Sequence, residues 1–458
     1  MFDNVDIRYA DNTSEEIGVY IAADAEPAQM KSGDASKYIP LASCSQTAMP
    51  GHENEASQML YALKTFSTTA VPFVINVSCG VDFPTNPENE YPQILVGLHA
   101  RKDVNGNNSA TNAYGNRAKE LDNYIYNNHV VEVVGAGNFG AKPADGSDWN
   151  GYLTSEAHAA NAITVGAVNY NGNIEKTTSW KNPAYGGQKP EIYNYTNYYL
   201  GSLSKKTFTK GSTNYTYNPF INGTRGAAAN TAAAIADLLR EEPFLRWHPE
   251  IVKARVLTAS DKFTSGNVVD KDNGSGVILN HSKLFDESDR FKNGVTINKN
   301  INGTYTNYSR FWNGDLSKMA TTVNGKKVIK FTTKVYKNHT YRAAISWLSS
   351  GNDIANIGKI PQDFDLAAYW NDNAQQDDEK TVNGTLKEYD YFTTDYENTR
   401  ATFITQSTSG SNPYELIEFD ASKTSYVTFV ITLYSENSNS ENKGKVQLGF
   451  NLLDIDEW

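Results

Sequence analysis

Residues 221–239, INGTRGAAANTAAAIADLL, run from a Gly-Thr turn straight into a stretch of small residues that ends in Ile235, Leu238 and Leu239. Alanine is the strongest helix former, so the stretch predicts a helix beginning at the turn. One arginine, Arg225, stands at the junction, where a cation meets the positive end of the helix macrodipole. Turns of this shape usually present a nucleophile. A guanidinium is a cation that cannot attack a carbonyl, so the residue and its setting disagree.

Outward from this turn, residues 17–285 alternate short apolar runs with amphipathic segments, the pattern of an α/β domain with a parallel sheet flanked by helices. IGVYIAA (17–23) reads as a strand. Ala56, Met59, Leu60 and Leu63 share one helical face, and VPFVINVSCG (71–80) follows as a buried strand. Ala118, Leu121 and Ile125 mark the next helix, HVVEVVGAGNFG (129–140) a strand breaking into a Gly-rich turn, and NAITVGAVN (161–169) another strand. After the opening helix, HPEIVKARVLTAS (248–260) is a helix with Pro249 in its first turn, and DNGSGVILNHSKLF (272–285) closes the region.

Residues 287–304 dissolve into Asn, Lys and Gly and read as a linker. Beyond them KKVIKFTTKVY, TYRAAISWL, DFDLAAYW, YELIEFD, SYVTFVITLY and KVQLGFNLL are strand-like runs with no convincing helix between them. An antiparallel barrel or jelly roll is expected. The division is therefore 1–290 for the α/β domain and 291–458 for the all-β domain, as a chain of 458 residues is too long for a single core.

Composition narrows the function. A formal net charge of -11 and the absence of a basic stripe argue against nucleic acid as a partner. No apolar run approaches the roughly 20 residues that cross a bilayer, so no membrane span is expected. The start, MFDNVDIRYADN, lacks the features of a signal peptide. Location then depends on processing: extracellular or cell-surface if a leader has been removed, cytoplasmic otherwise. Cys44 and Cys79 allow one disulfide and no cysteine zinc site. DVNGNN (103–108) and VDKDNGSG (269–276) offer oxygen ligands without a full calcium-loop series, so both read as turns and no cofactor is expected, calcium being the one candidate.

Five segments, in this order, resemble the subtilisin-like serine peptidases. VINVSCG is similar to the family's strand ending in Asn-x-Ser-x-Gly, VVEVVGAGNFG to the strand running into Ala-Gly-Asn, and AITVGAV to the strand after it. KPEI (189–192) is similar to the segment before the nucleophile, and GTRGAAAN to Gly-Thr-Ser-x-Ala-x-Pro at the helix start. The tail, from YRAAISW to KVQLGFNL, resembles the β-barrel that follows the peptidase domain in the oxidatively stable alkaline protease branch.

The resemblance implies a Ser nucleophile, a His base, an orienting Asp and an oxyanion-hole Asn. It assigns Asn138 to the oxyanion hole and places Arg225 where the Ser would be, with Ala229 at the usual Pro and Asn230 where His is frequent. Thr224 adjoins the position, but the residue before the nucleophile points elsewhere. His52, in PGHENEASQMLYAL, superficially echoes the catalytic His helix, yet VINVSCG follows that helix directly, which makes it a later crossover helix with His52 at its cap. Asp24 is the strand-end carboxylate that would imitate the orienting Asp, and in this register it is a turn residue. The expected protein is an inactive subtilase homologue that binds a peptide or protein ligand. Two alternatives stay open: an active or split serine endopeptidase, and a surface binding module acting through the C-terminal barrel.

Overall fold

The computed structural model describes most of residues 114–261, together with 278–284, 307–371 and 402–455. Elsewhere it describes only the backbone of short strands. The chain forms two compact units: Met1–Pro249 with Ser260–Asn280, and Glu250–Ala259 with His281–Trp458.

The first unit is built on a nine-stranded sheet. In chain order its strands are β1 (Asn4–Arg8), β2 (Ser14–Ile21), β3 (Leu41–Cys44), β4 (Val74–Val77), β5 (Val131–Gly135), β6 (Ile163–Val168) and β7 (Ile192–Tyr195). Two short strands complete it, and the spatial order from β1 to β7 is simply sequential. From β2 to β7 every neighbouring pair is parallel, while β1 lies antiparallel on the edge. Strand β3 was not foreseen: LASC is a four-residue run too short to register as a strand beside longer apolar segments. The centre reads as expected of a sheet covered on both faces, with Val131, Val133, Val134, Ile163 and Val165 all buried.

Helix α1 (Asn116–Asn128) buries Ala118, Leu121, Tyr124 and Ile125, the face its spacing predicts. Between β7 and the next helix lie two small antiparallel ribbons, β8 (Tyr198–Tyr199) with β11 (Phe220–Ile221) and β9 (Lys206–Lys210) with β10 (Thr213–Tyr217). Helix α2 (Gly223–Glu241) is the predicted small-residue helix. Its alanines 227, 228, 232 and 236 are buried with Ile235, Leu238 and Leu239, so little side-chain bulk separates its axis from strands β4 to β7. Helix α3 (Pro249–Thr258) starts at Pro249 as expected. Strands β12 (Ser260–Asp261) and β13 (Ile278–Leu279) then finish the sheet beside β7.

The second unit contains two antiparallel sheets. One holds β14 (Phe291–Lys292), β15 (Val295–Ile297), β16 (Asn307–Asp315), β19 (Thr340–Trp347), β24 (Tyr414–Asp420) and β26 (Lys445–Asp454). The other holds β17 (Thr321–Val323), β18 (Lys326–Val335), β20 (Gln362–Trp370), β23 (Thr402–Ser407) and β25 (Ser425–Glu436), while β21 (Thr381–Val382) and β22 (Thr385–Leu386) pair as a separate ribbon. Inward aromatics from the two sheets meet, Trp347 and Phe364 edge to face with centroids 5.2 Å apart and Phe429 and Phe450 tilted at 5.3 Å. The architecture is the expected all-β jelly-roll type behind an α/β subtilisin-like unit.

Three details correct the sequence reading. Residues 291–297, read as linker, form β14 and β15, which extend the sheet from β16; runs of two and three residues are too short for a strand period to show. The β-rich unit also holds helices, α4 (His281–Leu284), α5 (Leu316–Met319) and α6 (Gly351–Ile357), all too short for apolar periodicity to reveal. Strands β16 and β23 were likewise missed. Among the described residues, no helix is long and apolar enough to cross a membrane.

Candidate functional site

Strand β5 runs into Ala136, Gly137 and Asn138, and the first turn of α2 stands opposite. The two are stitched by Thr224, which is only 2% exposed. Its hydroxyl accepts the Gly137 N–H at 3.0 Å and donates to Asn138 Oδ1 at 3.3 Å. Its own N–H donates to the same Oδ1 at 3.0 Å. Asn138 thus caps α2 from another segment of the chain, satisfying one of the amides that a helix start leaves open.

The turn depends on glycine. Gly223 has φ +68°, and a Cβ there would lie 2.8 Å from Asn138 Oδ1, so a side chain would be strained and would push the cap away. Thr196 Oγ1 donates to the Gly223 carbonyl at 2.9 Å, fixing the turn from β7. One turn further on, Asn230 Nδ2 reaches Asn194 Oδ1 at 3.4 Å, and Asn194 Nδ2 donates to Thr231 Oγ1 at 2.9 Å.

Arg225 is half-buried in the first turn of α2, directly after this pinned threonine. Asn138 is exposed, and its Oδ1 is committed as an acceptor. The structure therefore brings together Asn138, Thr224 and Arg225. His52, Asp24, Cys79 and the loops 103–108 and 269–276 lie outside the described residues, and of Cys44 only its backbone place at the end of β3 is described. Among the described residues no group of His, Cys, Asp and Glu could hold a metal ion.

The sequence reading of KPEI as a landmark missed what the segment does. Lys189 and Glu191 form a buried ion pair at 2.6 Å. Lys189 Nζ also donates to the carbonyls of Ala159 and Ala162 at 2.8 and 3.1 Å and to Thr164 Oγ1 at 2.9 Å. Glu191 Oε2 accepts the Thr164 amide at 2.8 Å. The Lys189 donors and the Glu191 acceptor tie the segment entering β7 to residues 159–164, a structural use of charge. The detectable signal was two opposite charges flanking a proline ahead of an apolar strand.

No curated protein matches the chain. Among solved structures it is similar to the patellamide maturation protease PatA at 17% identity, over 58% of this chain and 79% of that one, with a TM-score of 0.32. It is also similar to the prenylagaramide maturation protease PagA (14% identity, 59% and 85% covered, TM-score 0.35). A third similarity is to MycP1 with its N-terminal propeptide removed (15% identity, 59% and 77% covered, TM-score 0.32). The model of the subtilase family matches residues 21–281, more than half of the chain, and the chain belongs to that family.

Proposed function

We propose that this subtilase is catalytically silent and uses the old nucleophile turn to hold the carboxylate of a peptide or protein ligand. One observation carries the reading: the turn is intact, but it offers no hydroxyl. The residue in the nucleophile position is Arg225, and the neighbouring Thr224 hydroxyl is buried and engaged at both ends by Gly137 and Asn138. Acyl transfer needs a free nucleophile, and an oxyanion donor alone forms no acyl-enzyme. What remains is the exposed Asn138, the start of a 19-residue helix, and a guanidinium whose fork suits a carboxylate.

The test has two arms. Wild type is expected to take no label from a fluorophosphonate probe and to leave an unfolded protein substrate uncleaved. Labelling, or cleavage stopped by serine-hydrolase inhibitors, would return the chain to the active or split peptidases. In the second arm, peptides with free and amidated C-termini are titrated against wild type and Arg225→Ala. Tighter binding of the free acid, lost in Arg225→Ala, is the expected result, and equal affinity of both proteins removes the role given to Arg225.

A further inference from the structure

Strand β5 feeds directly into the segment that grips the Arg225 turn, and it carries an acid in its buried part. Glu132 is 1% exposed, and neither of its carboxyl oxygens has a hydrogen-bond partner among the described residues. Helix α1 sets two ionisable groups against it, Tyr124 and Asp122. The Tyr124 hydroxyl is itself buried without a partner. Asp122 is served differently: it accepts the amides of Ala160 and Asn161 at 2.8 and 2.7 Å and the Tyr114 hydroxyl, and Lys189 lends it a favourable charge. Strands β4 and β6, on either side of β5, carry no ionisable residue. Arg225 and Asp237 of α2, and Glu156 and His158 of the 3-10 turn near β5, are the other described ionisable residues on elements packed against β5.

A carboxylate in that place would have lost its water and gained no donor, and the negative field of Asp122 opposes it further. We infer that Glu132 is a proton-held latch: its neutral carboxyl keeps β5 seated in the core, and its ionisation loosens β5 together with the Gly137–Thr224–Asn138 hold on the Arg225 turn. Burial first, and Asp122 second, push the Glu132 carboxyl well above the usual carboxylate range. The mechanical link is short. Gly135, three residues after Glu132, is so close to the turn that a Cβ on it would stand 3.2 Å from the Thr224 carbonyl carbon and oxygen. A shift of β5 therefore moves Thr224. The coupling needs only this geometry; its bearing on ligand binding rests on the reading of the turn as a carboxylate site.

Amide exchange on the full chain, corrected for the intrinsic pH dependence, tests the latch in peptides spanning 131–140 and 221–232. Wild type is expected to exchange ever faster in both segments as pH rises above about 6, past the Asp122 titration, by up to about tenfold per pH unit until Glu132 itself gives up its proton in the folded state. Glu132→Gln has no proton to release there and is expected to give a flat profile, as is Glu132→Met, which serves if the amide variant does not fold. A flat wild-type profile overturns the latch, and so does an equally steep rise in the variants. Peptide affinity measured alongside separates the two proposals: weakening at high pH in wild type but not in Glu132→Gln supports the latch acting on a ligand site. Exchange as expected with no peptide bound at any pH upholds the latch and overturns the ligand reading.

Discussion

Thr224 shows how a hydroxyl at a helix start can be committed to holding the fold together. Its hydroxyl satisfies a donor and an acceptor on the segment that follows β5, and it lies in the first turn of α2. Replacing it by Val keeps the shape and removes the hydroxyl, leaving the Gly137 N–H buried without its acceptor. An unsatisfied buried group costs about 1–3 kcal/mol. Thr224→Val is therefore expected to lower the urea midpoint by that amount of stability, and Thr224→Ser to recover most of it. Should Thr224→Val be as stable as wild type, Thr224 would not be the pin described here, and the argument that its hydroxyl is unavailable would lose its physical basis.

At the scale of elements, helix α3 is the informative case. By sequence it belongs with the α/β region, since it follows α2 and begins with a helix-starting proline. In the structure Glu250–Ala259 groups with the β-rich unit, and the reason is a polar ladder under its C-terminus. Arg342 on β19 donates through Nη1 to the Thr258 carbonyl at 3.1 Å and through Nη2 and Nε to Glu418 at 2.8 and 3.1 Å. Asn451 on β26 donates to Thr258 Oγ1 at 2.6 Å and accepts from Ser309 at 2.5 Å. Arg342 is 1% exposed, so removing it strands both the carbonyl and the Glu418 carboxylate. Breaking a buried pair from one side costs about 3–5 kcal/mol, whereas replacing both partners by apolar groups is frequently near neutral. Arg342→Met is expected to destabilise by about that much in denaturant unfolding, and Arg342→Met with Glu418→Leu to regain a large part; equal loss in single and double variants would contradict the ladder.

The same element shows what was legible. Long apolar runs such as VVEVV, ITVGAV and YELIEFD declared their strands because periodicity and β-branching agree over several residues. The contact of Asn138 with Thr224 joins two local signals, the Gly-rich end of β5 and the Gly-Thr start of α2. Long-range polar pairing left only a faint trace: Arg342 inside YRAAISW and Asn451 inside LGFNLL are lone polar residues in otherwise apolar strands, and nothing in either run names its partner. Strand β3, the two-residue strands and β15 are too short to carry a period.

Across the whole molecule, buried acids set a common pH response. Desolvation comes first in each case: it raises Asp122 to about 6, and raises Asp365 to about 6 with Asp363 adding repulsion. Glu415 is raised to about 8, chiefly by burial, against the bonds it accepts from the Ser407 hydroxyl and the Ser409 amide. A carboxyl with a raised pKa holds its proton in the folded state after the unfolded chain has released it. Stability is thus fully present below the unfolded value, about 4 to 4.5, and falls as pH rises toward the folded value. Lys330, lowered to about 8 by burial, acts in the opposite sense: above that pH the unfolded chain binds the extra proton, so stability recovers part of the loss as pH rises toward the ordinary lysine value. The net charge of -11 adds a second, screenable loss, because self-repulsion also grows above the isoelectric point near 5.2. The two causes separate by salt. Unfolding midpoints are expected to be highest near about pH 5 and to decline to about pH 8; raising salt to about 1 M, where the screening length is about 3 Å, should relieve the surface part and leave the buried part. Glu415→Gln removes one of the buried titrations and is expected to shallow the decline between about pH 4.5 and about pH 8 at high salt, where wild type still slopes. A wild-type curve flattened entirely by salt would assign the whole response to net charge and take the buried acids out of it.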